Sequence, residues 1–294
     1  VPLLRFRPAS PPRARFALPA VAATAAAAAA VCVATALPAA PAHAAANTSA
    51  NTNANAPANT TANATVRADP FARTGKLAAA TCPEPPMITG GVPRTESYLR
   101  TMLKCLNTSW SRHLAKSGRT FRAPVVEFYD EPVREVCGLP WPAQAAAFYC
   151  TDRRTLVFPL TGDWVENRTD LYPLKVAAHE YGHHLQSLTG IRRAFESRLR
   201  AARSRALQSE LGRRYELQAD CLAGVFLGAA WGSMSRTGQD WTTLLDETKD
   251  SGDEYAAYRS HGKGANRVHW LKRGYQGRSP AACDTWSAPA AKVA

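Results

Sequence analysis

Among 294 residues there is no Cys-x-x-Cys pair, so the seven cysteines do not read as a redox motif or a zinc-thiolate cluster. Residues 1–44 contain four arginines and no acid, and residues 45–68 have almost no large apolar side chains, so the second of these stretches cannot build a domain core. The chain is basic, at +13, but lacks a recognition motif or a basic-aromatic pattern for nucleic acid. No obvious dimerisation device is encoded.

Histidine is also scarce, at seven residues, yet two of them stand in the pentad His179-Glu180-Tyr181-Gly182-His183. The surrounding apolar run, Leu174 to Leu188, has helical spacing, with Pro173 suited to a first turn and Gly190 to a C-terminal cap. On a helix, residues four apart share a face, so both imidazoles can reach one Zn²⁺ while Glu180 flanks it. This is the pattern of a zinc peptidase, weighed against a chance match among the histidines. A catalytic zinc site usually takes a third protein ligand. Glu216 is the candidate, at the opening of a second helical run through Cys221, Leu222, Val225, Phe226 and Trp231, with Asp220 four residues on and able to hydrogen-bond a ligating imidazole. From spacing alone, both acids read equally well as solvated helix residues.

Four separated segments resemble the neutral zinc metallopeptidase family of bacteria. They are His179 to Gln186; Glu216 to Val225; His261-Gly262 with Arg267 to Tyr275; and Cys283-Asp284-Thr285-Trp286, in that order. The likeness covers roughly residues 80 to 286. It implies a gluzincin-like arrangement in which His179, His183 and Glu216 hold zinc, Glu180 is the catalytic carboxylate and Asp220 supports a ligand. The expected fold class is α+β, a mainly helical zincin-like domain over 81–294 with a small antiparallel or mixed sheet.

The chemistry expected of such a site is hydrolysis of peptide bonds. Zinc lowers the pKa of its bound water to about 7, and Glu180 accepts the proton and passes it to the leaving amine. His261, in a Ser260-His261-Gly262 turn, is a candidate donor to the developing oxyanion, with a capping or surface role as its alternative. His184 and His269 read as structural.

Export is the second theme. Arg5, Arg7, Arg13 and Arg15 precede an apolar stretch from Phe16 to Leu37, and Ala42-His43-Ala44 offers small residues for cleavage, so residues 1–44 read as a secretory signal peptide. A retained membrane anchor and a lipid anchor on Cys32 are the rivals. Residues 45–80 then form a disordered spacer, Asn/Thr/Ala-rich to about Ala68. Without residues 1–44 the charge falls from +13 to +9, still basic. The remaining cysteines form an even set, as disulfides in an oxidising compartment require. Connectivity does not follow from sequence. The pairs expected are Cys137 with Cys150, Cys221 with Cys283, and Cys82 with Cys105.

Pro124 to Tyr129 and Thr155 to Phe158 read as strands, the latter as either a substrate-pairing edge or an interior strand. Ile191 to Arg214 carries eight arginines, which form a solvated helix face or attract acidic polymers of the cell envelope. Two functions follow: a secreted zinc endopeptidase acting on protein or peptide, and an inactive envelope-associated scaffold of the same fold. The intact Glu180 favours the first.

Overall fold

The structure is a computed structural model that describes residues 70–86, 90–141, 145–161, 165, 168–254 and 259–294. The expected signal peptide and most of the spacer lie outside the described residues.

Residues 70–80, assigned to the spacer on composition, pack onto the domain. Phe71 and Leu77 are buried, and the amides of Leu77 and Ala80 bond to Arg278 O and Ala229 O at 2.7 and 2.9 Å. Two large apolar side chains are enough to bring this segment into the core where the Asn/Thr/Ala repeat has none to offer.

Helix α1 (Gly91–Lys116) buries Leu99, Met102, Leu103, Leu106, Trp110 and Leu114, an apolar stripe at spacings of three and four. Five strands follow: β1 (Val125–Tyr129), β2 (Glu135–Val136), β3 (Leu139–Pro140), β4 (Phe148–Cys150) and β5 (Thr155–Pro159). The main sheet has the order β1-β5-β4, with β1 parallel and β4 antiparallel to β5, so it is mixed. Strand β5 is therefore central and buried throughout. An unbroken Leu156-Val157-Phe158 run marks an interior strand, and both edges of β5 are taken. The substrate-pairing role considered for Thr155–Phe158 is corrected accordingly, since the strand has no free backbone edge.

The chain continues with α2 (Tyr172–Leu188), α3 (Ile191–Ala201), α4 (Arg205–Ala230), α5 (Gly238–Asp250) and α6 (Gly264–Gly277). Gly190 has φ 83°, a left-handed turn that ends α2 and starts α3. Helix α4 begins eleven residues before Glu216, with Ser204 Oγ accepting from Leu207 N at 3.2 Å, so Glu216 sits mid-helix and not at an opening. The charged stretch before Glu216 hid that start by lacking a clear apolar face.

Two crossings set the architecture. Helix α2 meets α4 at Gly182, where an added Cβ would lie 3.0 Å from Ala219 Cα. Helix α6 lies against α4 backbone to backbone: a Cβ at Gly224, Gly228 or Gly274 would fall 2.1, 2.2 or 1.9 Å from the carbonyl oxygens of Leu271, Tyr275 and Cys221. Side chains at those three points would force the helices apart.

All three expected cysteine pairs are bonded. Cys82–Cys105 ties the N-terminal segment to α1, Cys137–Cys150 ties the β2–β3 hairpin to β4, and Cys221–Cys283 ties α4 to the C-terminal segment. The arginine run is not a uniform solvated face. Arg193, Arg200, Arg203 and Arg205 are exposed, whereas Arg214 reaches the carbonyls of Thr285, Trp286 and Ala288, and Arg213 Nε that of Val293 at 2.8 Å. These two side chains anchor the C-terminal segment over α4.

Candidate metal centre

Helix α2 presents His179 and His183 on one face, and the close approach at Gly182 brings α4 near enough for Glu216 to meet both. Glu216 Oε2 lies 3.3 Å from His179 Nε2 and 3.1 Å from His183 Nε2. The opposite ring nitrogens are occupied as well. His179 Nδ1 is 2.8 Å from Asp220 Oδ1, and His183 Nδ1 is 2.8 Å from Gln186 Oε1. An Nδ1–H donating to each oxygen leaves both Nε2 lone pairs facing the Glu216 carboxylate. Burial works against a charged His183, yet Glu216 holds its pKa up at about 9, so the carboxylate draws positive charge to this point, and with both rings neutral the set is His₂Glu, a common zinc arrangement. The residues present thus fit the group.

His261 joins them from another element. It follows α5, in a loop pinned by Gly262 N to Asp253 Oδ2 at 2.6 Å and Asp253 N to Gly262 O at 3.0 Å. Its Nε2 stands 3.5 Å from Glu216 Oε2, and its ring stacks on that of His179 with centroids 6.2 Å apart. His179, Glu216 and His261 offer ligand atoms within 4.8 Å of one another. Two trios therefore share His179 and Glu216, one completed by His183 and one by His261. The His183 trio has both of its rings oriented by buried acceptors, whereas His261 is 43 % exposed with Nδ1 on Ser260 Oγ at 2.9 Å. The first is the better-held ligand set.

Charges around the centre are strongly biased. Burial would raise the Glu216 carboxyl, but the His183 imidazole and the contacts with both histidines hold it well below the usual carboxylate range. Asp220 likewise resists burial because Arg267 and Lys175, and then His179, hold it well down. Glu180 is pushed up by burial, which outweighs the pull of His183 and His179, a direction that suits a group that both takes and gives a proton. Burial lowers His261 despite the neighbouring Glu216.

Five site residues expected from sequence, His179, Glu180, His183, Glu216 and His261, line one cavity of roughly 480 Å³, and Asp220 supports its wall from behind. Reasoning on sequence missed Lys175, Gln186, Tyr215 and Arg267. A lone lysine in the apolar run four residues before His179, and a glutamine three after His183, were readable by helical spacing. His184 lies outside the cluster. Its Nε2 meets Arg122 O at 2.7 Å and its Nδ1 meets Tyr149 Oη at 3.1 Å, a structural role, and burial pulls its pKa down to about 4.

Helix α2 thus carries a buried His-Glu-x-x-His pentad and is crossed by a second helix carrying Glu216 and Asp220. The chain matches, over residues 91–286, the family described as "Putative neutral zinc metallopeptidase", and this span is about two thirds of its length. It belongs to that family. It is 31% identical over 212 residues to the uncharacterized protein YpfJ of Escherichia coli K12, covering 64% of this chain and 70% of YpfJ. It is also 31% identical over 196 residues to the uncharacterized protein Rv2575 of Mycobacterium tuberculosis H37Rv, covering 57% and 64% respectively. No solved structure matches.

Proposed function

We propose that this chain is a zinc-dependent endopeptidase, with His179, His183 and Glu216 as the metal ligands and Glu180 as the general base and acid. The convergence of two Nε2 atoms on Glu216 Oε2, with each Nδ1 fixed by its own acceptor, carries the reading. When bound, zinc supplies Lewis-acid polarisation of a peptide carbonyl and acidifies a water molecule. Glu180, buried beside both histidines, takes the proton from the attacking water and delivers it to the departing amine. His261 faces the same space and donates to the oxygen on which negative charge develops.

The substrate-pairing edge belongs to β4. Among the described residues one of its sides is taken in the sheet, by β5, and residues Ala145 to Tyr149 line the cavity beside Glu180. An extended peptide gains main-chain hydrogen bonds there by strand addition.

Secretion is part of the proposal. Three disulfides suit an oxidising compartment, and no helix among the described residues is long and apolar enough to cross a membrane. The exposed arginines of α3 and the following turn would draw the protein to acidic envelope polymers, with salt-sensitive retention.

The decisive experiment compares casein cleavage by the wild type and Glu180→Gln, with metal analysis of both. The expected result is chelator-sensitive, zinc-restorable turnover in the wild type and none in a Glu180→Gln chain that still holds zinc. Equal turnover in the two proteins refutes the mechanism.

A further inference from the structure

Behind the His179 imidazole, on the side away from Glu216, the cavity wall carries two cations against one anion. Lys175 lies one helical turn before His179 and is 3 % exposed, with Nζ 2.9 Å from Asp220 Oδ1. Arg267 takes the same carboxylate through Nε at 2.8 Å and Nη2 at 3.2 Å, and its Nη1 bonds to Ser251 O and Oγ at 2.8 and 2.9 Å. The guanidinium is thus well satisfied. The ammonium is not: it has three N–H donors, and among the described residues Asp220 is its one close acceptor. Burial, and then the neighbouring Arg267, lower its hold on the proton in spite of Asp220 and Glu180. Tyr172, Lys175, Ser251 and Arg267 all line the cavity that holds Glu180.

We propose that this pole is a subsite for a substrate carboxylate, the side chain of an Asp or Glu next to the scissile bond, with Lys175 as the specificity-determining residue. The inference rests on the peptidase reading above and adds a substrate class to it. Lys175, Ser251 and Arg267 line the same cavity as His179 and Glu180, so a substrate side chain held in that cavity meets this pole. A carboxylate satisfies the spare N–H donors and balances the excess charge, whereas its amide isostere balances nothing. Arg192 also lines the cavity, where its Nε is paired with Glu196 Oε1, and it is the competing cation that the test below separates from Lys175.

Binding can be read without turnover in the zinc-loaded Glu180→Gln protein by calorimetry. The probes are two capped pentapeptides that differ only by Glu or Gln at the central position. The Glu peptide is expected to bind about 10-fold tighter or more, as for a hydrogen bond to a charged group. Adding Lys175→Met should bring the pair within about 3-fold, while Lys175→Arg keeps the preference. Equal affinities in the parent protein, a preference that survives Lys175→Met, or no binding by either peptide overturns the subsite. If Lys175→Met does not fold, the peptide pair on the parent and on Arg192→Gln decides: a preference lost with Arg192 overturns the assignment, and one retained supports it. The peptidase reading fails separately, through undiminished casein turnover in Glu180→Gln.

Discussion

Asp220→Asn is the most informative single substitution, because one fully buried carboxylate receives His179, Lys175 and Arg267 together. The asparagine keeps the shape and removes the charge. It leaves Lys175 and Arg267 in the interior with no counter-ion between them, and it turns one acceptor into an amide that faces donors. Removing one partner of a buried ion pair costs about 3–5 kcal/mol, a large part of the roughly 5–15 kcal/mol that holds a domain together. With a urea slope near 2 kcal/mol/M, the midpoint should fall by about 2 M. The zinc-free protein is the one to unfold, since it separates this loss from metal binding. In the refolded protein, a ligating imidazole whose Nδ1–H meets a neutral amide oxygen in place of a carboxylate should bind zinc more weakly, by about 10-fold. Asp220 is held below its ordinary pKa, so its stabilisation is complete above about pH 4 and is lost as pH falls through the folded value. The gap between wild type and variant should therefore persist down to about pH 4 and close below it. Adding Lys175→Met to Asp220→Asn should restore part of the loss, since it removes one of the orphaned cations. A variant within about 1 kcal/mol of wild type, with unchanged zinc affinity, would refute the picture of Asp220 as the counter-ion of this wall.

His261→Gln should lower kcat by about 10²–10³-fold with zinc content unchanged, and loss of zinc in that variant would make residue 261 a ligand instead. Replacing Cys221 and Cys283 by serine opens a loop of 62 residues and should cost about 4 kcal/mol in a denaturant titration, while a loss under about 1 kcal/mol would show that packing alone holds the C-terminal segment. His184 has its folded pKa lowered to about 4, below the ordinary value, so the unfolded chain takes up the proton first as pH drops. The wild type should lose on the order of 3 kcal/mol between about pH 6.5 and 4 relative to His184→Gln, and parallel pH profiles would contradict this.

Much of the site was legible because helical spacing encodes it. His179, Glu180 and His183 share a face by arithmetic alone, and the Glu216/Asp220 pair repeats that arithmetic on the second helix. What spacing cannot convey is the crossing that joins the two helices, which depends on Gly182 meeting Ala219 across thirty-seven positions of chain. The start of α4 stayed hidden because its first turns are charged, and a period is visible only where a face is apolar. The interior position of β5 was written in its unbroken apolar run, but which strand becomes an edge is decided by long-range pairing. Lys175 was passed over for a related reason. In a helix that reads as core, a single lysine looks like an exception until the carboxylate that neutralises it is seen 45 positions away.

The glycine seam between α4 and α6 determines how much error the centre can tolerate. Helices separated by side chains can slide and repack, because rotamers absorb small displacements. Here carbonyl oxygens rest where methyl groups would otherwise stand, so α6 has one seating depth on α4. Arg267 projects from that helix, and its grip on Asp220 is gauged from main chain to main chain. Gly274→Ala, outside the cavity lining and chemically the mildest of changes, would lift the whole α6 rod and with it the guanidinium that steadies the wall behind His179.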